Sequence, residues 1–155
     1  MSQIVETVDV DVPVRVAYDQ WTQFEEFPLF MQGVESVKQM DDTHLAWSAD
    51  ISGVKKQWSA EITEQKPDER VAWRAVEGAE NAGVVTFHRL SDVTTRVTLQ
   101  LDVDPEGIVE NVGDALGFVS RRAKGDMQRF KEFIEARGSE TGAWRGTVSS
   151  GSSNR

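Results

Sequence analysis

Few side chains in this sequence combine a catalytic or metal-binding group with a spacing that could use it. The chain contains two histidines and no cysteine, which excludes thiolate nucleophiles, disulfide bonds and cysteine-ligated metals. His44 and His88 fall on the polar faces of different strand-like runs, and no serine or carboxylate near them has the spacing of a catalytic triad. Two histidines with scattered acids are also too few ligands for a zinc site. We therefore predict that both histidines are surface residues, and we expect no catalytic residue, bound metal or cofactor.

Two charged side chains are better candidates for chemistry, because the pattern around each predicts that it points inward. Lys56 is in phase with Trp58 on a strand-like run, and Asp126 lies within the apolar stripe of a predicted helix. A buried charge is costly unless it is paired. Arg122 and Arg129 lie four residues before and three after Asp126, where a local ion pair can form. Asp126 and Lys56 are therefore either paired structural residues, polar anchors for a ligand, or acid–base groups with shifted pKa values.

Hydrophobic periodicity predicts the elements that position these residues. Alternation near the N-terminus predicts a strand ending in "VDVDV", and "VRVAYDQW" and "FEEFPLFMQG" predict two short helices. Six further strand-like runs are separated by short turns, which is typical of an antiparallel meander: "VESVKQM", "HLAWSADI", "VKKQWSAEITEQ", "RVAWRAVEG", "GVVTFHRL" and "TTRVTLQLDVD". A long helix is predicted from about Glu106 to Arg137.

The strand-like runs share one apolar face, as expected for a sheet that is covered on one side only. The apolar stripe of the last helix predicts that this helix is the cover. Gly113 and Gly117 flank the stripe, where they either admit a loop or ligand or weaken the start of the helix, and Gly125 has no explanation in the pattern. We predict that a ligand between helix and sheet would contact Trp47, Trp58, Trp73, Phe87, Leu99, Leu101, Val112, Leu116, Val119 and Phe30.

Two aromatic groups have competing interpretations. The three inward tryptophans either form a wall for a flat apolar ligand or simply fill the core, and small alanines beside them could leave a void. The segment from Trp21 to Met31 either plugs the open end of the sheet, gates a cavity, or forms a surface for a membrane or partner.

Composition excludes several classes of function. The formal net charge of −9 disfavours binding to nucleic acid and to anionic membranes. The N-terminus lacks the pattern of a signal peptide, and no apolar run is long enough to span a bilayer. A cytoplasmic protein without stable membrane insertion is expected. The Gly-, Ser- and Thr-rich residues 139–155 predict a flexible tail after a single domain over residues 1–138.

The order of these elements predicts an α+β helix-grip fold: a curved antiparallel sheet of about seven strands, two short helices, and a long C-terminal helix across its concave face. The sequence also resembles the START-like (Bet v 1-like, SRPBCC) superfamily, in particular its bacterial polyketide cyclase/dehydrase and Coq10-like branch. The resemblance covers about residues 3–137 and rests on "VDVDVPVRVAYDQWTQFEEFPLFMQGVESV", "DERVAWRAVEGAENAGVVTFHRL" and "TTRVTLQLDVDPEG". It implies a hydrophobic cavity that binds lipids, sterols, polyketides or plant hormones. A minority of members catalyse cyclisation or dehydration, and no catalytic residue is common to all.

Three functions follow as hypotheses. The first is non-covalent binding of a small hydrophobic or amphipathic molecule, such as a lipid, a quinone or a polyketide-like compound. The second is an aromatase/cyclase or dehydratase, which needs an inward acid or base, and Lys56 and Asp126 are the nominees. The third is a protein-interaction module with a filled core that acts through the Trp21–Met31 surface or the tail around Trp144. A cavity below roughly 300 Å³ would favour the third hypothesis.

Overall fold

The computed structural model describes residues 2–78, 80–105, 109 and 113–149. Its strands are β1 (Ser2–Val10), β2 (Val34–Gln39), β3 (His44–Ile51), β4 (Val54–Lys66), β5 (Arg70–Gly78), β6 (Asn81–Ser91), β7 (Thr94–Val103) and β8 (Val148–Ser149). Its helices are α1 (Val14–Trp21), a 3₁₀-helix (Phe24–Leu29) and α2 (Ala115–Arg137). The described residues include no helix that is long and apolar enough to cross a membrane.

The strands form one antiparallel sheet in the order β1-β7-β6-β5-β4-β3-β2, and β8 pairs with β4 off this path. Strands β2 to β7 follow one another as a meander, whereas β1 returns to pair with β7 from Ser2 opposite Val103 to Val10 opposite Thr95. The sheet is curled, and α2 packs across it. The predicted α+β helix-grip fold is confirmed.

Helix α2 begins later than the sequence pattern predicts. Residues 106–108 and 110–112 lie outside the described residues, but Gly113 and Asp114 are in a turn rather than in the helix. Asp114 is the N-cap, and its carboxylate accepts a hydrogen bond from the Gly117 backbone N–H at 3.0 Å. A Cβ on Gly117 would collide with that carboxylate. Gly117 therefore makes room for the cap rather than for a ligand.

One residue that the sequence pattern places inward is exposed in the first turn of α2. The buried residues of α2 are Ala115, Val119, Ala123, Met127, Phe130 and Ile134. Leu116 is predicted to belong to this stripe but is 44% exposed, because the stripe continues from Ala115 at spacings of four residues and Leu116 lies beside it. Gly125 also gains an explanation, since a Cβ there would lie 3.1 Å from the guanidinium of Arg129.

Residues 139–149, which composition predicts to be a flexible tail, lie against α1 and β4 in the structure. The Thr141 N–H donates to the Gln20 side chain at 2.9 Å, and the Trp144 N–H donates to the Thr22 hydroxyl at 3.1 Å. Arg145 pairs with the buried carboxylate of Asp19. The cause is a buried acid that needs a cation, which local composition does not reveal. Residues 150–155 lie outside the described residues.

The buried residues form two clusters that meet under α2. The larger cluster packs α1 and the 3₁₀-helix against the middle strands and the C-terminal half of α2. The smaller cluster joins the N-terminal half of α2 to Ile4, Val103 and Val109. The site described next lies where the two clusters meet, under the N-terminal half of α2.

Candidate functional site

A cavity of about 200 Å³ lies between the concave face of the sheet and α2. Its walls are the inward side chains of β3 to β7, part of the 3₁₀-helix, the loop before β2, and the helix face from Phe118 to Met127. The polar side chains in this wall, among the described residues, are Gln32, Asn81, Arg122 and Asp126. The wall is otherwise formed by apolar and aromatic side chains.

Six of the residues that the sequence pattern selected lie in the cavity wall. They are Trp47, Trp58, Trp73, Leu99, Leu101 and Val119. Strand alternation places the five strand residues inward, and the apolar stripe of the helix places Val119 inward.

The other selected residues lie elsewhere. Phe87 and Phe30 are buried outside the cavity, where Phe87 packs edge-on against Tyr18 at 5.4 Å between ring centroids. Leu116 is exposed, and Val112 lies outside the described residues. Lys56 is half-buried opposite Ala49 on β3 and is not part of the cavity wall.

The tryptophans of the wall have fixed and different environments. Trp47 and Trp58 are directly opposite each other on β3 and β4, and their rings stack at 5.5 Å with an angle of 11°. The Trp73 indole N–H donates to the Asn81 side-chain oxygen at 3.1 Å. The Trp47 indole N–H is buried and has no hydrogen-bond partner among the described residues. The stacked pair presents a flat, rigid aromatic surface beside the cavity.

Asp126 is in the wall, as the sequence pattern suggested, but its carboxylate is already engaged. One oxygen accepts a hydrogen bond from the Gln32 backbone N–H at 3.0 Å and also contacts the Arg129 guanidinium. Burial raises the pKa of the Asp126 carboxyl, and Arg129, the Gln32 N–H and Arg122 oppose that rise. The local ion pair is therefore the arrangement that the structure shows.

Sequence patterns alone did not identify the polar residues that complete the wall. Asn81 lies at the start of β6, and Gln32 lies in the loop before β2, where no periodicity applies. The sequence predicts Arg122 only as a partner for Asp126. In the structure, Arg122 donates to the Gln32 carbonyl at 2.9 Å, and its guanidinium lies 4.9 Å from the centre of the Phe118 ring. Only the spacing of Arg122, Asp126 and Arg129 along one helix face carried a signal.

The size of the cavity is below the roughly 300 Å³ that marks the lower end of common ligand pockets. By that criterion alone, the volume favours a filled core. However, an engineered apolar cavity of about 150 Å³ in another protein holds benzene, so 200 Å³ is enough for a compact aromatic molecule. Of the two surfaces suggested for a filled-core module, the one over Trp21–Met31 has its aromatic side chains buried, namely Trp21, Phe24, Phe27 and Phe30. The Trp21–Met31 segment acts as a plug.

Comparison with known proteins places this geometry in context. Residues 10–132 match a family model described as polyketide cyclase/dehydrase and lipid transport. An uncharacterized 17.2 kDa protein of Streptomyces lincolnensis is 60% identical over 149 residues, which cover 96% of this chain and 99% of that protein.

Two solved structures share the fold. A START superfamily protein from Mycobacterium smegmatis has a TM-score of 0.68 at 14% identity, covering 87% of this chain and 95% of that one. The Zhui aromatase/cyclase from Streptomyces sp. R1128 has a TM-score of 0.72 at 15% identity, covering 92% of this chain and 99% of that one. The family-model match confirms the predicted resemblance to polyketide cyclases/dehydrases, and the two structures show the START-like fold, whereas the narrower Coq10-like assignment stays a prediction.

Proposed function

Because the chain belongs to the polyketide cyclase/dehydrase and lipid transport family, we propose that it binds one small, uncharged, largely apolar molecule in the cavity under α2. The observation that carries this proposal is the cavity itself, with the stacked Trp47–Trp58 pair in its wall. The family is known for hydrophobic ligands. Burial of apolar ligand surface, at about 25 cal/mol per Å² before the costs of association, would drive binding.

The state of the polar side chains supports an uncharged ligand. Asp126 is engaged by Arg129 and by the Gln32 N–H, and Arg122 is engaged by the Gln32 carbonyl. The Asn81 side-chain oxygen accepts from Trp73. A charged ligand group would have to leave water without a free counter-charge in this wall, which is unfavourable. The volume supports a compact molecule such as a one- or two-ring aromatic compound.

Titration with two neutral probes tests this proposal. Naphthalene and 1-aminonaphthalene should each give saturable quenching of tryptophan fluorescence, because four of the five tryptophans line the cavity. Naphthalene sulfonate, which adds a charge to the same ring system, should bind at least about tenfold more weakly. Val119→Phe, which places a larger side chain in the cavity wall, should lose both neutral probes while keeping the fold.

A second candidate, the interaction module with a filled core, is favoured by the small volume alone. If neither neutral probe gives a saturable response, the binding proposal is overturned and this second candidate replaces it. Among the described residues, no specific observation favours the third candidate, an enzyme. Of the two nominees for an acid or base, Asp126 is held in hydrogen bonds and Lys56 is not part of the cavity wall.

A further inference from the structure

The loop between the 3₁₀-helix and β2 forms one side of the cavity, and we call residues 30–33 the lid loop. Met31, Gln32 and Gly33 of this loop all line the cavity. Gln32 is at the same time exposed to solvent. The wall is therefore a single layer of chain at this point, with the cavity on one side and water on the other.

Three side chains of α2 hold the backbone of the lid loop. Arg129 donates from Nε to the Phe30 carbonyl at 3.0 Å, and Asp126 accepts from the Gln32 N–H at 3.0 Å. Arg122 donates to the Gln32 carbonyl at 2.9 Å. Spacings of four and three residues place the three side chains on one face of the helix. We call Arg122, Asp126 and Arg129 the latch.

The lid loop is also confined from the other side, by β3. The Asp50 N–H donates to the Gly33 carbonyl at 2.7 Å. Gly33 has a φ of +87°, and a Cβ there would lie 2.6 Å from the Arg122 guanidinium and 2.8 Å from the Asp50 carbonyl oxygen. Glycine is the residue that permits both the backbone angle and this close approach.

The bonds of the latch differ from those that hold the rest of the cavity wall. The strands are joined by continuous backbone ladders, whereas the latch consists of separate side-chain hydrogen bonds, several of them accessible to water. Each such bond contributes little net free energy, because water can replace either partner. Compared with the strands that form the rest of the described wall, the lid loop should therefore open at a lower free-energy cost.

We infer that the lid loop is the entrance to the cavity and that the latch controls it. Opening moves Met31, Gln32 and Gly33 away from the cavity, which admits a ligand and enlarges a space that is about 200 Å³ when closed. This inference rests on the proposed function for the ligand, but the opening itself can be measured without one.

Amide hydrogen exchange tests the opening directly. The Gln32 and Asp50 amides donate across the two sides of the lid loop, so their exchange reports its release. Asp126→Ala and Arg122→Gln should each speed exchange at both amides by about three- to tenfold. Lys131→Gln is the matched control, because Lys131 also joins α2 to a backbone carbonyl, that of Asp9, away from the cavity. It should leave both amides unchanged.

Stopped-flow mixing with 1-aminonaphthalene tests the link between opening and entry. Both latch variants should raise the association rate of this probe by about three- to tenfold. The control variant should keep the rates of the unaltered protein. If one latch variant fails to fold, judged by circular dichroism, the other carries the test.

The outcomes separate the two proposals. Faster exchange and faster probe entry in the latch variants support the inference. Unchanged exchange at Gln32 and Asp50, or faster exchange with unchanged probe rates, overturns the lid loop as the entrance. Absence of probe binding in the unaltered protein overturns the proposed function instead, and exchange then shows whether the loop opens at all.

Discussion

The two halves of α2 cover the same sheet with different results. In the C-terminal half, Phe130 and Ile134 are completely buried, and the Phe130 ring lies 4.9 Å from Trp21 and 5.3 Å from Phe30. In the N-terminal half, the buried positions are Ala115, Val119 and Ala123, and the cavity lies beneath Val119 and Ala123. One helix thus packs tightly against the core at its C-terminal end and covers a cavity at its N-terminal end. The difference follows the size of the inward side chains, which are large in the C-terminal turns and small in the N-terminal turns.

The largest expected effect comes from breaking the packed half. Phe130→Ala should lower the free energy of unfolding by about 3–5 kcal/mol, because it removes a fully buried ring that packs against Trp21 and Phe30. Val119→Ala, in the hollow half, should cost clearly less, since part of its surroundings is already empty. Urea unfolding of both variants measures the difference. Equal losses would show that the two halves are packed alike.

The packed half should also exclude water from the single tyrosine of the chain. Burial raises the pKa of Tyr18 to about 12, above its ordinary value near 10. Because the folded state keeps the Tyr18 proton where the unfolded state has lost it, this group lowers the free energy of unfolding by about 2 kcal/mol as pH rises from 10 to 12. Ultraviolet titration of the tyrosinate band should give a midpoint near 12.

Tyr18→Phe is the control for the other groups that titrate in the same range. It should remove this contribution to the fall in stability, and it should cost little at neutral pH because the Tyr18 hydroxyl is buried without a partner among the described residues. A tyrosinate midpoint near 10 in the folded protein would mean that water reaches the packed half.

The smallest expected effect comes from making the same substitution, alanine to leucine, once in the packed cluster and once in the cavity wall. Ala17 is fully buried on α1 in the packed cluster, and Ala123 lines the cavity. Ala17→Leu should cost about 1–3 kcal/mol through overpacking. Ala123→Leu should change stability by less than about 1 kcal/mol while weakening the binding of 1-aminonaphthalene at least about tenfold. Similar costs at both sites would contradict the distinction between a packed and a hollow half.

The features that sequence patterns predicted are those encoded within one element. Alternation in β3 placed Trp47 inward because a strand has a period of two residues, and the run after Pro13 predicted the bounds of α1 closely. The predicted start of α2 was wrong because apolar periodicity does not detect an N-cap. In the structure, the Gly117 N–H donates to the Asp114 carboxylate at this cap. That bond depends on a carboxylate rotamer rather than on a repeating pattern.

The features that were missed depend on residues far apart in the chain. The polar face of the lid loop is formed by carbonyl and N–H groups, which have no signature in side-chain type, and by arginines 90 or more residues later. Whether Trp47, Trp58 and Trp73 fill the core or border a void depends on how their rings stack. The sequence shows that large rings share a face but not how much space remains between them.

The contact between Asp19 and Arg145 has a consequence for synthesis of the protein. Asp19 lies in α1, and its partner follows 126 residues later. At 5–20 residues per second, a ribosome makes Asp19 roughly 6 to 25 s before it makes Arg145. During that interval the cation beside Asp19 is the largely exposed Arg15, whose Nε lies 3.6 Å from the Asp19 carboxylate in the folded protein. We therefore expect the ion pairing of this buried acid to be completed only when translation is nearly finished.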